Sequence, residues 1–322
     1  MPKERIPKDT SDIGPPEVYC DLRDLIGIQH EAKGFSFLPK FAVQSLLAGR
    51  HRSKLRGRGL DFDEVRQYAQ GDDIRNIDWR VTARVGKTHT KVFTEERERP
   101  VMLVVDQSSS MFFGSQVYLK SVIAAHLASL GAWRVIDVGD RVGGIVFDDD
   151  ALDFVKPKRD RRSVQRLLHF IAQKNQALGS STKENKEKNM LNESLTHAVH
   201  VVNHDFLIVI ISDFRKADKE TIKKSIQLSR HNDVLAFQVS DPFEKKIPES
   251  HIVLSDGTFQ TLIENHHKKI REKFAENQQS KQQWLEDQFK KYNIPLLKFN
   301  TEESAAVQLR KMVGGRLKKR RK

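Results

Sequence analysis

Short apolar runs alternate with helical periodicities through the last two thirds of the chain. The apolar runs lie at 101–105, 142–147, 206–211, 234–239 and 295–299, and the helical stretches at 116–135, 161–172, 191–202, 219–230, 264–292 and 302–312. Continuous apolar strands that alternate with amphipathic helices are typical of a parallel sheet covered on both faces. Ser255, Asp256 and Gly257 predict one hairpin within this region.

The pattern before residue 101 is different. Residues 1–35 are polar and contain Pro7, Pro15 and Pro16, which predicts a mobile lead-in. Residues 36–100 have a short helical stretch at 41–47 and then Arg, Asp and aromatic residues without a sustained helical period, which predicts an irregular, β-rich appendage. We therefore predict this lead-in, this appendage, an α/β domain at 101–313 and a basic tail at 314–322.

The composition favours a cytoplasmic protein without a membrane span. The 322 residues are 38% hydrophobic and 31% charged, and no apolar run approaches the roughly 20 residues of a membrane helix. The first residues lack the apolar segment of a secretory signal. Cys20 is the single cysteine, so the count excludes an internal disulfide and a multi-cysteine metal site.

The chain is strongly basic, with 56 Lys and Arg against 43 Asp and Glu and a net charge of +13. Much of this excess lies in two runs, at 50–58 and at 316–322. We interpret both as solvated segments, and nucleic-acid binding through them is a weaker hypothesis.

A candidate metal site follows the first strand of the predicted domain. Asp106, Ser108 and Ser110 come directly after the apolar run at 101–105, and Ser212 and Asp213 follow the run at 206–211. Ligands of open α/β sheets lie at such strand ends. Carboxylate and hydroxyl oxygens suit Mg²⁺ or Mn²⁺, although the same residues could simply form a turn that caps the next helix. The strand and helix context favours the metal.

These residues resemble a known site. Asp106, Ser108, Ser110 and Met111 resemble the metal-ion-dependent adhesion site of von Willebrand factor A domains. The upstream segment resembles the signature of the bacterial domain-of-unknown-function 58 family through Gly57, Gly59, Phe62, Arg66, Tyr68, Gly71, Asp72, Asp73, Arg75, Ile77, Asp78, Trp79, Ala83 and Arg84. The resemblance implies an α/β fold of the von Willebrand A or Rossmann-like type, with a mostly parallel sheet, helices on both faces and an N-terminal β-rich appendage.

The resemblance also implies roles for the site residues. Ser108 and Ser110 would ligate the metal, Asp106 and Asp213 would hold its waters, and a partner's Asp or Glu would complete the shell. The family's usual threonine ligand, from a Gly-Thr pair before the helix near residue 191, is replaced in sequence by Lys188 and Asn189. Thr182, upstream, and Asn189 are the two candidates for that position.

The charged part of the appendage has two interpretations. Its residues are either a partner-binding face or a network of ion pairs that fastens the appendage to the sheet, with Trp79 as a buried anchor. We favour the structural interpretation because Arg–carboxylate pairs make good fixed contacts. The residues concerned are Arg66, Tyr68, Asp72, Asp73, Arg75, Asp78, Trp79, Arg80 and Arg84.

Binding is a better prediction than catalysis. The chain contains no G-x-x-x-x-G-K-[ST] motif and no G-x-S-x-G motif. A Mg²⁺-dependent phosphoester hydrolase of the haloacid-dehalogenase type is the main alternative, but Ser108 occupies the place of the general acid. The family resemblance implies a protein-binding adaptor without enzymatic activity, working as a co-chaperone with a MoxR-type AAA+ ATPase.

Overall fold

A computed structural model describes residues 15–32, 60–95, 99–179, 188–245, 252–255, 260–263 and 268–313. The chain divides into two compact units, a smaller one at 47–98 and a larger one that comprises 1–46 and 99–322. The predicted helix at 41–47, Thr182, the basic run at 50–58 and the tail at 314–322 lie outside the described residues.

The secondary structure follows the predicted alternation closely after residue 100. The strands are β1 (Leu60–Gln67), β2 (His89–Glu95), β3 (Val101–Asp106), β4 (Val142–Phe147), β5 (Leu152–Lys158), β6 (Leu207–Ser212), β7 (Asp233–Ser240), β8 (Ile252–Ser255), β9 (Gln260–Ile263) and β10 (Leu296–Asn300). The helices are α1 (Leu22–Gly27), α2 (Trp79–Val85), α3 (Lys120–Asp137), α4 (Arg161–Ala177), α5 (Met190–Val201), α6 (Lys219–Ser229), α7 (Pro242–Lys245), α8 (Lys268–Lys291) and α9 (Ala305–Val313).

The larger unit is built on a six-stranded sheet in the order β10-β7-β6-β3-β4-β5. The first five of these strands are parallel, and β5 pairs with β4 in the antiparallel direction. This arrangement confirms the predicted α/β class with a mostly parallel sheet, and β8 and β9 form the predicted hairpin. The edge strand β5 was not predicted, because Asp153, Lys156 and Pro157 interrupt its apolar pattern.

Helices cover both faces of the sheet. Met102 and Val104 of β3 belong to a core cluster with Leu195 of α5, Ile222 of α6 and Leu285 of α8. The alternate residues of β3 point to the opposite face, because successive side chains of a strand alternate. The side chains of β3 therefore contribute to one apolar layer on each face of the sheet.

The helix α3 is buried on almost every side. Fourteen of its 18 residues are buried, among them Ser121, Ile123 and Trp133. A helix that is apolar all round lies inside a protein rather than on its surface. The prediction of an amphipathic helix at 116–135 is therefore wrong in that respect, although its position is close.

The segment 15–32 corrects the prediction of a mobile lead-in. It forms α1 and packs into the larger unit, where Leu25 is fully buried and Cys20 is 1% exposed. The carbonyl oxygen of Leu25 accepts hydrogen bonds from Ser129 Oγ at 2.6 Å and Trp133 Nε1 at 3.1 Å. The prolines precede the helix and leave its apolar residues available for packing, so the polar composition was misleading.

Asn175 of α4 joins this segment to the core. The amide nitrogen of Cys20 donates to Asn175 Oδ1 at 2.9 Å, and Asn175 Nδ2 donates to Gln107 Oε1 at 3.0 Å. We expect Asn175→Ala to lower the free energy of unfolding by about 2 kcal/mol, because it leaves a buried donor and acceptor unpaired. Urea unfolding measures this loss. The exposed Asn203→Ala is the control, and equal stability of both variants would contradict the proposed connection.

The smaller unit contains an antiparallel hairpin and a helix. The strands β1 and β2 pair with a bulge between Phe62 and Glu64, which agrees with the β-rich prediction. The helix α2, capped by Asp78 and ended by Gly86 at φ +72°, was missed. The prediction of Trp79 as a buried anchor is wrong, since its side chain is 70% exposed.

The charged residues of the smaller unit form local contacts. Arg66 Nη2 pairs with Asp72 Oδ1 at 2.6 Å, and Tyr68 Oη donates to the carbonyl oxygen of Asp72 at 3.4 Å. Asp73 Oδ1 accepts the amide of Arg75 at 3.0 Å, so it caps a short 3₁₀ turn. Arg84 is exposed. These contacts explain the local fold of the hairpin connection, and the partner-face interpretation stays a prediction.

No helix among the described residues combines the length and apolar character needed to cross a bilayer.

Candidate metal centre

The predicted site residues lie together at the carboxyl ends of neighbouring parallel strands. Asp106 is the last residue of β3, and Asp213 directly follows β6, which pairs with β3. On the other side of β3, Asp106 is in register with Phe147 at the end of β4. Parallel pairing brings these ends to one edge of the sheet, where polar loops diverge.

Hydroxyl groups hold both oxygens of the Asp106 carboxylate. Ser108 donates to Oδ1 through its backbone nitrogen at 2.9 Å and through its Oγ at 2.6 Å. Ser212 Oγ donates to Oδ2 at 2.5 Å. The carboxylate is 4% exposed, so it lies in a fixed position just beneath the surface.

A small cavity of about 10 Å³ opens in front of these groups. Ser110 reaches it from a 3₁₀ turn at Ser109–Met111, and its Oγ lies 3.3 Å from Ser108 Oγ. The residues that line the cavity are Asp106, Ser108, Ser110, Phe147, Met190, Leu191, Ser212, Asp213 and Lys216. The volume is enough for one water or one small ion.

Asp213 is held by charged and backbone donors. Its Oδ1 accepts the amide of Arg215 at 2.9 Å, and its Oδ2 accepts Lys120 Nζ at 2.7 Å. Burial raises the pKa of Asp213, but Lys120 and Arg215 outweigh this effect, and the pKa lies below its ordinary value. Asp213 is therefore ionised at neutral pH.

The turn after Asp213 is strained. Phe214 adopts φ +57°, a left-handed conformation that is uncommon for a bulky residue. Its amide donates to Ser212 Oγ at 3.0 Å, and its buried ring packs edge-on against Phe289 with centroids 5.6 Å apart. The packing of Phe214 therefore keeps the turn that presents Ser212 and Asp213 to the cavity.

The electrostatics of Asp106 fit a cation. Burial and the charge of Asp213 raise the pKa of Asp106 to about 6, although Ser108 and Ser212 donate hydrogen bonds to it. Among the described residues, the contacts of the Asp106 carboxylate are hydroxyl and amide groups and include no cationic side chain. Two carboxylates and several hydroxyls around a cavity of this size are the hard oxygen donors that Mg²⁺ and Mn²⁺ prefer.

Asn189 does not line the cavity. It caps α5, where its Oδ1 accepts the amide of Asn192 at 3.3 Å. Its Nδ2 donates to the carbonyl oxygen of Lys216 at 2.8 Å and to Asp218 Oδ2 at 3.2 Å. The amide group is thus occupied in joining two helix starts, and Thr182 is the remaining candidate for the threonine ligand.

Sequence reasoning missed three side chains near this site. Lys120 contacts Asp213 from behind, and Lys216 Nζ pairs with Asp149 Oδ1 at 3.1 Å at the mouth. Asp149 Oδ2 also accepts the amide of Ser109 at 2.6 Å, which joins the loop after β3 to the end of β4. Asp149 could have been found from its position just beyond a third strand end. The lysines gave no such signal, because lysines in loops are ordinarily solvated.

The chain has relatives in mycobacteria and structural neighbours among known domains. It is 27% identical over 251 residues to uncharacterized proteins of Mycobacterium bovis and Mycobacterium tuberculosis, covering 76% of this chain and 73% of each relative. The conserved hypothetical protein BatB from Bacteroides thetaiotaomicron is 16% identical, with a TM-score of 0.41 over 65% of this chain and 93% of that one. The SpRpn10 VWA domain is 10% identical, with a TM-score of 0.37 over 69% and 100%.

A family profile gives the assignment. The profile of the protein family of unknown function DUF58 matches residues 64–284, which is more than half of the chain. The match runs from β1 of the smaller unit to α8 of the larger one and includes Asp106, Ser108, Ser110 and Asp213. The chain therefore belongs to the DUF58 family.

Proposed function

We propose that this chain is a non-enzymatic, metal-dependent adaptor that binds a protein partner at the carboxyl end of its sheet. The observation that carries the proposal is the buried Asp106 carboxylate, which faces hydroxyl donors and a cavity of about 10 Å³ without a cationic contact among the described residues. Burying a carboxylate without a neutralising charge is costly. A divalent ion in the cavity removes that cost.

The chain's own residues would hold the ion in a defined way. Following the family resemblance, Ser108 and Ser110 offer hydroxyl oxygens to it, while Asp106 and Asp213 accept hydrogen bonds from its waters. Mg²⁺ or Mn²⁺ bound by so few protein groups supplies an open coordination position for an outside carboxylate. An Asp or Glu of the partner would bind the ion there through a charge-assisted contact.

The hydrogen bonds of Asp106 argue against a hydrolase. Hydrogen bonds from Ser108 and Ser212 to the two oxygens of this carboxylate lower its nucleophilicity, and each oxygen keeps a lone pair that can accept a water. Ser108 also stands where a general acid would be required, and a serine hydroxyl does not protonate a leaving group at neutral pH. The proposed role is therefore binding.

The family resemblance suggests a partner class. DUF58 proteins are often encoded beside MoxR-type AAA+ ATPases, so we propose such an ATPase as the partner, with this chain as its co-chaperone in assembling or maturing protein complexes. Nucleic acid has no part in the proposal. The ATPase would recognise this chain through one of its own acidic side chains, which would bind the metal ion.

Affinity purification of the tagged chain from its own cell extract tests the proposal. We expect partner proteins, identified by mass spectrometry, to be recovered with Mg²⁺ and lost with EDTA or in Asp106→Ala. Asp137→Ala is the matched control, because Asp137 lies at the exposed end of α3 and its side chain is 51% exposed. This control should capture the same proteins as the wild type.

Two outcomes would reject the proposal. Equal capture with EDTA and in Asp106→Ala would mean that Asp106 is a capping residue and that recognition lies elsewhere. Turnover of p-nitrophenyl phosphate that is lost in Asp106→Asn but kept in Ser108→Ala would identify a phosphoester hydrolase instead.

A further inference from the structure

Lys120 is a charged side chain in the interior of the larger unit. It is the first residue of α3 and is fully buried. Its ammonium group donates to Asp213 Oδ2 at 2.7 Å and to Glu244 Oε1 at 2.5 Å, and it lies 5.9 Å from the centre of the Phe113 ring. An ammonium group tolerates such burial only when carboxylates neutralise it.

The position of Lys120 changes the charge of the proposed metal site. Asp106 and Asp213 are the two carboxylates that line the cavity, and the ammonium group of Lys120 neutralises one of them from behind. A divalent ion in the cavity would therefore meet a positive charge on the far side of Asp213. Like charges repel each other inside a protein, where the dielectric constant is lower than in water.

Glu244 ties the same ammonium group to another element. Its Oε1 accepts Lys120, while its Oε2 accepts the amide of Asp241 at 3.2 Å at the start of α7. Asp241 in turn accepts Ser115 Oγ and Thr301 Oγ1, each at 2.5 Å. These contacts fix Lys120 in place, so it cannot swing away when an ion enters.

We propose that Lys120 is a positioning residue that acts as a built-in competitor of the divalent ion, holding Asp213 in place and keeping the metal affinity of the chain low. This inference rests on the proposed metal site. A site with low intrinsic affinity binds its ion tightly only when a partner carboxylate adds a further negative charge. Metal and partner would then bind cooperatively, since each raises the affinity for the other.

Mn²⁺ binding to the purified full-length chain tests this role, with free Mn²⁺ measured by electron paramagnetic resonance. We expect Lys120→Met to raise the Mn²⁺ affinity by roughly tenfold or more, because the repulsion is removed. The variant leaves the buried Asp213 and the partly buried Glu244 as neighbouring like charges. The double variant Lys120→Met with Glu244→Gln therefore accompanies it, since it preserves the net charge and should raise the affinity in the same direction.

Lys174 provides the matched control. It is also largely buried, at 8% exposure, and its ammonium group lies 2.7 Å from Asp148 and 3.2 Å from Asp153. Lys174→Met removes the same charge from a pair of carboxylates that do not line the metal cavity. We expect it to leave the Mn²⁺ affinity within about twofold of wild type, since the effect of a charge falls with distance.

The outcomes separate this inference from the proposed function. Mn²⁺ binding by the wild type that is unchanged or weaker in both Lys120 variants would overturn the role of Lys120 and leave the metal site standing. Mn²⁺ binding that is seen only in the Lys120 variants would strongly support the role of Lys120 as a competitor of the ion. No binding by any variant would overturn the metal site and this inference together.

Discussion

Asp106→Asn is expected to stabilise the metal-free chain at pH 7.5 by about 3 kcal/mol, the free-energy equivalent of a pKa displaced to about 6. Asn has the same shape, and its oxygen can still accept the hydrogen bonds of Ser108. It carries no charge, so the cost of burying a carboxylate beside Asp213 disappears. The same substitution removes the charge that attracts a cation, so Mg²⁺ should no longer stabilise the variant.

The pH dependence follows from the direction of this shift. The folded chain keeps the Asp106 proton up to about pH 6, whereas the unfolded chain releases it near its ordinary pKa of 3.8. The wild type without metal should therefore lose stability as the pH rises through this window, and it should remain less stable above it. The stability of Asp106→Asn should not fall over this pH range. In the wild type, apparent Mg²⁺ affinity should fall as the pH drops below about 6, because a protonated carboxylate does not attract cations.

Urea unfolding in EDTA at pH 5 and pH 7.5, repeated with Mg²⁺, measures both effects. The exposed Asp137→Asn should behave as the wild type in all four conditions. Lower stability of Asp106→Asn than of the wild type at pH 7.5 in EDTA would show that the ionised carboxylate stabilises the loop. Asp106 would then serve as a capping residue and not as part of a metal site.

Gly143→Ala is expected to lower the free energy of unfolding by about 3 kcal/mol, because overpacking against backbone cannot be relieved by a side-chain rotation. Gly143 lies in β4 where the register with β5 shifts. A Cβ atom there would come within 2.4 Å of the carbonyl oxygen of Val155 and 2.6 Å of the nitrogen of Pro157. The edge strand would have to move away from β4.

Gly27→Ala is the control for this substitution. Gly27 ends α1 with φ −59°, and a Cβ atom there would have no heavy atom within 4 Å outside its immediate neighbours. Because alanine restricts the unfolded chain, this variant should be neutral or more stable by up to about 1 kcal/mol. Thermal unfolding compares the two. A Gly143→Ala variant as stable as Gly27→Ala would contradict the close packing of β4 and β5.

The sheet and the position of the polar loop after β3 were predictable because their signals are local. Each central strand is a continuous apolar run, as expected for a strand of a parallel sheet that is buried on both faces. Asp106 and Asp213 could be placed at the same edge because parallel strands align their carboxyl ends. The resemblance to the metal-ion-dependent adhesion site suggested metal-ligand roles for Ser108 and Ser110, which spacing alone leaves open, and these roles stay predictions.

The remaining features depend on contacts between distant parts of the chain. Lys120 is the first residue of a nearly continuous apolar helix, and only its contacts with Asp213 and Glu244, 93 and 124 residues away, explain its burial. Cys20 and Leu25 lie in a polar, proline-containing segment, and their burial depends on α3 and α4. Trp79 shows the opposite error, since a large aromatic side chain was expected inside and lies outside.

The edge strand β5 limits how copies of the chain can associate. Its C-terminal half carries exposed Lys156 and Lys158 on either side of Pro157. A second copy that approached β5 to extend the sheet would meet two ammonium groups. Edge-to-edge association of sheets into open-ended fibres is therefore disfavoured at β5, even at high concentrations of the chain.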